Sequence, residues 1–153
     1  ERPSDTFPLS QLQAAALLPQ LETLDHWNAR RRQGARWFTD QLSKLSTSKS
    51  ANTAFFLPRF VNADTSAALY KFAFFARSSD QRDQVLARVR PLGIPCGHGF
   101  PCFARRASQS GSGANSFPHA LAAAEKTIVL DHRALIADLS LRQEIFDQIV
   151  ADV

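Results

Sequence analysis

The strongest constraint on the fold is a long apolar periodicity near the start of the chain. Ser10 followed by Gln13 fits a capping box, in which the serine hydroxyl accepts a hydrogen bond from a helix amide and the glutamine side chain reaches back. Apolar residues then recur at helical spacing, at Leu17, Leu21, Leu24, Ala35, Phe38, Leu42 and Leu45. The pattern predicts a long helix with one apolar face that begins at Ser10 and ends near Lys49. Because Pro19 lacks an amide and clashes with the preceding turn, we expect a kink or break near residues 15–19.

Three short segments downstream have the composition of strands. Residues 70–77 are aromatic and compact, as a buried strand would be, and residues 94–97 and 127–130 resemble two shorter strands. Helical patterns separate these segments. The alternation predicts an α+β fold, a two-layer small domain with a long N-terminal helix and a small β-sheet of about three to four strands covered by helices.

Residues that are typical of helix starts and ends mark the helical segments. Ser79-Asp80 fits the start of a helix that Gly93 ends, and Pro118 suits the first turn of another. Ser140 fits the cap of the last helix. The polar stretch 46–53 predicts a loop after the long helix.

Composition limits the classes of protein and of site. A length of 153 residues with 44% apolar residues supports one structural unit, and the apolar runs fall short of the roughly 20 residues of a membrane-spanning helix. We expect a soluble, cytoplasmic protein without a membrane partner. The six-residue spacing of Cys96 and Cys102 does not match a paired-cysteine zinc site, so we expect free thiols and no metal.

The net charge of +4 suits an anionic partner, but most of the arginines are scattered. The aromatic residues resemble core residues and not an exposed stacking surface, so we expect no nucleic-acid partner. Arg30-Arg31-Arg32 would point in three directions from a helix, which is typical of a solvated face. An arginine stacked on Trp27 would stiffen the same helix.

Eight short motifs occur in an order and spacing that resemble one enzyme family. They are Leu12-Gln-Ala-Ala, Gln20-Leu with Leu24-Asp-His-Trp, Ala29-Arg-Arg-Arg, Tyr70-Lys-Phe, Gly93-Ile-Pro-Cys, Gly97 with Gly99, Phe117-Pro118, and Leu130-Asp-His132. Together they are similar to the C-terminal small domain of the DegT/DnrJ/StrS family of nucleotide-sugar aminotransferases, whose fold is type I and whose cofactor is pyridoxal 5'-phosphate (PLP). The similarity spans nearly the whole chain.

The resemblance implies a longer, homodimeric parent enzyme that transfers an amino group from an amino acid such as glutamate to a keto nucleotide-sugar. In such a parent, residues 1–49 are the interdomain segment and long helix, and residues 50–153 are the C-terminal α/β small domain. The large domain would carry PLP and the lysine that binds it.

None of the lysines in this chain, Lys44, Lys49, Lys71 and Lys126, has the sequence setting that the resemblance requires for the cofactor-binding lysine. We therefore expect no catalytic residue in this chain, no PLP bound by the chain alone, and no transamination by it.

The resemblance also suggests site residues, with departures from the family pattern. Thr6 aligns with a polar position near the cofactor, but Pro8 stands where the family has an arginine. His98 before Gly99 lies near a position where many members have a substrate-facing histidine. Between two glycines the backbone can approach a ligand closely, so His98 and Gly99 are predicted to bind substrate. The alternative is a loop histidine that hydrogen-bonds locally.

Four further residues are candidates for substrate binding. Tyr70 could place its hydroxyl in the cleft, although an aromatic residue in a strand is more often core. Arg105 and Arg106, beside a Ser- and Gly-rich stretch, could hold a diphosphate, or they are ordinary surface arginines. His132 matches a family histidine, with a structural hydrogen bond as its alternative role.

The departures from the family pattern leave a second function open. A catalytically degenerate, aminotransferase-like domain could serve as a dimerisation or ligand-binding module.

Overall fold

The computed structural model describes residues 10–47, 55–58, 68–99 and 118–151, and statements about structure below refer to these residues. In chain order the elements are α1 (Gln11–Glu22), α2 (Leu24–Thr47), β1 (Lys71–Phe75), α3 (Ser79–Val89), a 3-10 helix (Arg90–Leu92), β2 (Cys96–Gly97), α4 (Pro118–Lys126), β3 (Thr127–Asp131), α5 (His132–Ile136) and α6 (Leu139–Val150). The predicted α+β fold with a long N-terminal helical segment and a small sheet is confirmed. No helix among these residues is both long and apolar enough to cross a membrane.

The sheet is antiparallel with the strand order β1-β3-β2. Lys71 lies opposite Asp131, and Gly97 lies opposite Val129. An isolated bridge joins Phe56 to Phe75 at the outer edge of β1. The three predicted strand segments are therefore all present, although β2 covers only two of the residues 94–97.

Alternate residues of the central strands face a single apolar core. Phe72 and Phe74 of β1 and Ile128 and Leu130 of β3 are buried on this face. Helices α2, α3, α5 and α6 contribute further buried apolar positions: Ala35, Phe38, Leu42, Val85, Leu86, Val89, Ala134, Leu135, Ile145, Phe146 and Ile149. The core holds the sheet against its helical layer, because apolar burial is the main favourable term in folding.

Helices α2 and α5 approach each other closely at Gly34. A Cβ atom at this position would lie 2.0 Å from the carbonyl oxygen of Leu135, which is a backbone atom and cannot swing away. Since α5 begins directly after β3, this contact fixes the end of the central strand against the long helix.

The long helical segment differs from prediction in where it breaks. Pro19 lies inside α1, and the interruption comes at Thr23, where the hydroxyl contacts the carbonyls of Pro19 and Gln20 at 3.4 and 3.2 Å. The expected break at residues 15–19 is wrong, because the helix continues through the position where Pro19 cannot donate. The first two residues of the loop expected at residues 46–53 belong to α2, which runs to Thr47, and residues 48–53 lie outside the described residues.

The predicted apolar face is buried only in its C-terminal half. Ala35, Phe38 and Leu42 are buried, whereas Leu17, Leu21 and Leu24 are exposed, and no residue of α1 is buried. A 12-residue helix is marginal in water without packing. Its capping box, which is confirmed at Ser10, supplies only a local contribution.

Two predicted helix caps are displaced by one or two residues. Ser78, and not Ser79-Asp80, caps α3 by accepting from the amide of Gln81. Asp138, and not Ser140, caps α6 by accepting from the amide of Leu141 at 2.8 Å. In both cases the side chain that reaches a free amide lies just before the first helical residue.

Two arginines hold the carbonyls at the end of α5, a helix that the sequence patterns did not predict. Arg30 donates to the carbonyl of Ile136 at 2.7 Å, and the buried Arg142 donates to that of Ala137 at 2.9 Å. Arg30 also lies 5.5 Å from the ring centroid of Trp27, as predicted for a stacked arginine. The interpretation of Arg30 as part of a solvated face is wrong, because its charge offsets the negative end of α5.

We expect Gly34→Ala to destabilise the fold by about 2–3 kcal/mol, since the new methyl group overlaps backbone and the helices must move apart. Gly97→Ala is the matched control, because a Cβ there meets nothing within 4 Å. Urea unfolding of the two variants measures the difference, and equal stabilities would contradict the close approach of α2 and α5.

Asp138→Ala should lower the free energy of unfolding by about 1 kcal/mol, because an amide of α6 loses its only capping side chain. Ser140→Ala should change it by less than about 0.5 kcal/mol, as a surface substitution does. Thermal unfolding of both variants distinguishes the two caps. A larger loss of stability for Ser140→Ala than for Asp138→Ala would show that Ser140 caps the helix, as expected from the sequence.

Candidate functional site

A shallow cavity lies on the sheet face that points away from the core. Residues directly opposite each other in an antiparallel pair share a face, so Lys71 with Asp131 and Gly97 with Val129 all point outward. The cavity has a volume of about 250 Å³ and is lined by Lys71, Pro95, Cys96, Gly97, His98, Gly99, Val129 and Asp131. It brings two of the predicted site residues, His98 and Gly99, together with Lys71 and Asp131, which were not predicted as site residues.

The backbone after β2 bends over the outward face at Gly99. Gly99 has a φ of 79°, a left-handed conformation that favours glycine, and a Cβ there would lie 3.2 Å from a methyl of Val129 and 3.4 Å from that of Thr127. This bend holds the backbone next to His98 against the strand. The side chain of His98 is about half exposed, with a relative exposure of 52%.

His98 makes a specific contact with α3. Its Nε2 atom lies 3.5 Å from Oδ1 of Asp83, and the Nε atom of Arg82 donates to the same oxygen at 2.8 Å. A second nitrogen of Arg82 donates to the carbonyl oxygen of Glu125 at the end of α4. The hydrogen bond from Arg82 is the main cause of a lowered pKa at Asp83; the charges of Arg82, His98 and Arg90 add to it and outweigh the opposite effect of burial.

Tyr70, which precedes β1, and His132, which follows β3, form a stacked pair. Their ring centroids are 5.0 Å apart with an interplanar angle of 21°. The two residues are next to Lys71 and Asp131 in the sequence but do not themselves line the cavity. Tyr70 is 60% exposed, so its assignment to the core is wrong: it precedes β1 and does not share the alternation of the strand.

His132 does not make the structural hydrogen bond considered for it through Nδ1. This atom lies 3.1 Å from Oδ1 of Asp131, within ion-pair distance, but the alignment is not that of a hydrogen bond and Nδ1 has no hydrogen-bond partner. The contact is therefore electrostatic.

Asp131 connects the cavity to the start of α5. Its Oδ1 accepts from the backbone amide of Arg133 at 3.2 Å and from the guanidinium of Arg133 at 3.1 Å. Burial raises the pKa of Asp131, but these two hydrogen bonds and the charges of His132 and Arg133 outweigh it, so the pKa lies below its ordinary value of 3.8. The carboxylate is charged at neutral pH and lies on the same sheet face as Lys71.

Cys96 is a half-buried free thiol, as predicted, and lies 3.9 Å from the carbonyl of Leu86. Burial raises the pKa of this thiol, and the neighbouring Arg90 opposes that effect only in part. Across the described segments, no group of three His, Cys, Asp or Glu side chains could hold a metal ion. Cys102 and three predicted site residues, Thr6, Arg105 and Arg106, lie outside the described residues.

A family model matches residues 4–151, and it is the model of the DegT/DnrJ/EryC1/StrS aminotransferase family. The chain belongs to this aminotransferase family. The resemblance drawn from the eight motifs is thereby confirmed. Among curated protein sequences none matches the chain.

Two solved structures of longer chains resemble this fold. One is 3-amino-5-hydroxybenzoic acid synthase, with a TM-score of 0.71, 18% identity, and coverage of 99% of this chain and 42% of its own. The other is an aminotransferase from Psychrobacter cryohalolentis, with a TM-score of 0.70, 20% identity, and coverage of 95% and 40%. At such identities the likeness shows the fold alone. The chain spans about two-fifths of the length of either neighbour.

The described residues do not form a complete PLP site. A PLP site combines a lysine for the aldehyde with donors for the phosphate, and in this cavity the lysine, Lys71, faces the same side as the carboxylate of Asp131. Lys71 and Asp131 alone do not supply both of these features, so the cavity by itself does not form a PLP site.

We expect Asp131→Asn to remove a pH-dependent part of the stability. Asparagine still caps α5, so the variant isolates the charge. Because the pKa of Asp131 is lowered on folding, the wild type should be the more stable above about pH 4 and lose this advantage as the pH falls further. Urea unfolding of both proteins between about pH 2 and 6 tests this, and a difference that does not vary with pH would contradict it.

Proposed function

We propose that this chain is the C-terminal small domain of a PLP-dependent aminotransferase that acts on a keto nucleotide-sugar with an amino-acid donor such as glutamate. The observation that carries the proposal is the cavity with His98 and Gly99 on the sheet face that points away from the core, in a chain of an aminotransferase family. PLP supplies the electron sink for amino transfer, and in this proposal it is held by another part of a longer protein.

The surface of α1 supports this arrangement. Leu18 and Leu21 are each 60% exposed, and no residue of the helix is buried against the part of the chain that the structure describes. An apolar helix face of this kind needs a covering surface, since a short helix gains most of its stability from packing. A large domain in the same protein would provide it.

The residues around the cavity have complementary roles in the proposal. His98 would hydrogen-bond a sugar hydroxyl or phosphate, with the backbone at Gly99 close enough for direct contact. Lys71 would attract the negative charge of the nucleotide-sugar, and the Tyr70–His132 pair would form a flat wall beside it. These groups bind and orient the substrate; the chain itself performs no covalent step.

Three further roles follow from the resemblance. We assign Arg105 and Arg106 to the substrate diphosphate and Thr6 to the cofactor phosphate, each by hydrogen bonds to anionic oxygen. We also place the whole protein in the cytoplasm as a homodimer, without membrane or nucleic-acid partners.

The second candidate function is a catalytically degenerate domain that binds a ligand or a second copy. Pro8 favours it, because proline offers neither the charge nor the amide of the arginine expected at that position. Loss of an anion contact there would weaken cofactor or substrate binding.

The test uses the full-length protein with PLP, glutamate and nucleotide-linked keto-hexoses. We expect the visible absorbance of bound PLP and amino transfer, and His98→Gln should lower kcat/KM about tenfold, as the loss of one hydrogen bond to a charged group does. His119→Gln, on an exposed position of α4, is the matched control.

Two results would decide for the degenerate domain. They are the absence of PLP absorbance in the full-length protein and the absence of amino transfer to every keto sugar tested. If amino transfer occurs but His98→Gln has the same kcat/KM as His119→Gln, the proposed aminotransferase activity is supported and the proposed role of His98 is wrong.

A further inference from the structure

A series of polar contacts links α4 and α3 to the side chain of His98, which follows β2. Arg82 is anchored to the carbonyl of Glu125 at the end of α4 and has a relative side-chain exposure of only 12%. Its Nε donates to Asp83 at 2.8 Å, and Asp83 in turn lies 3.5 Å from Nε2 of His98. Arg82, which is mostly buried, therefore holds the carboxylate of Asp83 beside the half-exposed imidazole of His98 at the cavity.

We propose that Asp83 is the positioning residue for His98, holding the imidazole by its Nε2 edge so that Nδ1 is the ring nitrogen left for a ligand in the cavity. The glycines on either side of His98 leave its backbone with unusual freedom, and the left-handed φ at Gly99 fixes only one side. A side chain without Asp83 would therefore sample several rotamers. The functional part of this inference rests on the substrate-binding role proposed above for His98.

Asp83 is suited to this role because the core does not need it. Its side chain is 55% exposed on α3, whereas the buried residues of that helix are Val85, Leu86 and Val89. The bond from Arg82 to the carbonyl of Glu125 does not involve the Asp83 carboxylate. Substitution at Asp83 should therefore change His98 and leave the fold intact.

Other charged groups lie around the same histidine and need to be considered. Arg82 of α3 and Arg90 of the 3-10 helix both act on Asp83, and both favour its charged form. From the sheet, Lys71 and Asp131 line the cavity with His98, and the thiol of Cys96 lines it as well. Among these groups the carboxylate of Asp83 has the contact with Nε2.

The first experiment measures the reactivity of each histidine in this chain toward diethyl pyrocarbonate at pH 6 by peptide mass spectrometry. A carboxylate 3.5 Å from Nε2 covers that nitrogen and restricts the motion of the ring. We expect Asp83→Asn to increase the rate at His98 about two- to fivefold, the range for an exposed ion pair. Asp83→Glu should restore much of the protection, and Asp80→Asn, on the same helix, should change nothing.

The remaining histidines, His26, His119 and His132, serve as internal references for folding in the same samples. Unchanged reactivity of His98 in Asp83→Asn would overturn the proposal. An equal rise at all four histidines would also overturn it, because that pattern means general loosening of the fold.

The second experiment uses the full-length enzyme. Asp83→Asn should raise KM for the nucleotide-sugar about two- to fivefold with little change in kcat, and adding it to His98→Gln should cause no further loss. Additive effects would contradict action through His98. If His98→Gln leaves KM unchanged, the proposed role of His98 in substrate binding is wrong. The reactivity of His98 toward diethyl pyrocarbonate in the first experiment still tests its contact with Asp83.

Discussion

The close approach of α2 and α5 at Gly34 is the constraint on which the rest of the structure depends. Because a backbone carbonyl of α5 occupies the space of a side chain, α5 lies directly against the long helix. Arg30 and Arg142 then satisfy the carbonyls at its end, at Ile136 and Ala137. Since α5 follows β3 without a loop, the same contact fixes the central strand, and with it the carboxylate of Asp131 at the cavity.

The sequence predicted those elements whose patterns are local. The capping box at Ser10, the strand segments and the start of α4 at Pro118 are confirmed because each depends on neighbouring residues alone. The five-residue α5 is too short for a hydrophobic period, so no pattern could predict it. The caps at Ser78 and Asp138 were misplaced because several polar residues compete there, and only the geometry decides which one reaches an amide.

In the candidate site, too, local sequence patterns predict some residues and miss those that depend on the three-dimensional arrangement. His98 and Gly99 could be predicted because a histidine between glycines is a local signal and the resemblance supported it. Asp83 lies 15 positions before His98 and on a different element, and it resembles any exposed carboxylate of a helix. Asp131 occurs within a recognised motif, but its outward direction follows from the register with Lys71, which a sequence does not reveal.

Some apolar side chains lie outside the core that the described residues form. They include the leucines of α1 and, on the outward sheet face beside Lys71 and Asp131, Val129. Apolar burial is the main source of a domain's stability, so these side chains add little to the core that the described residues form. In the proposed function they would contact another part of a longer protein, and the cavity lies on the sheet face that such a contact would enclose.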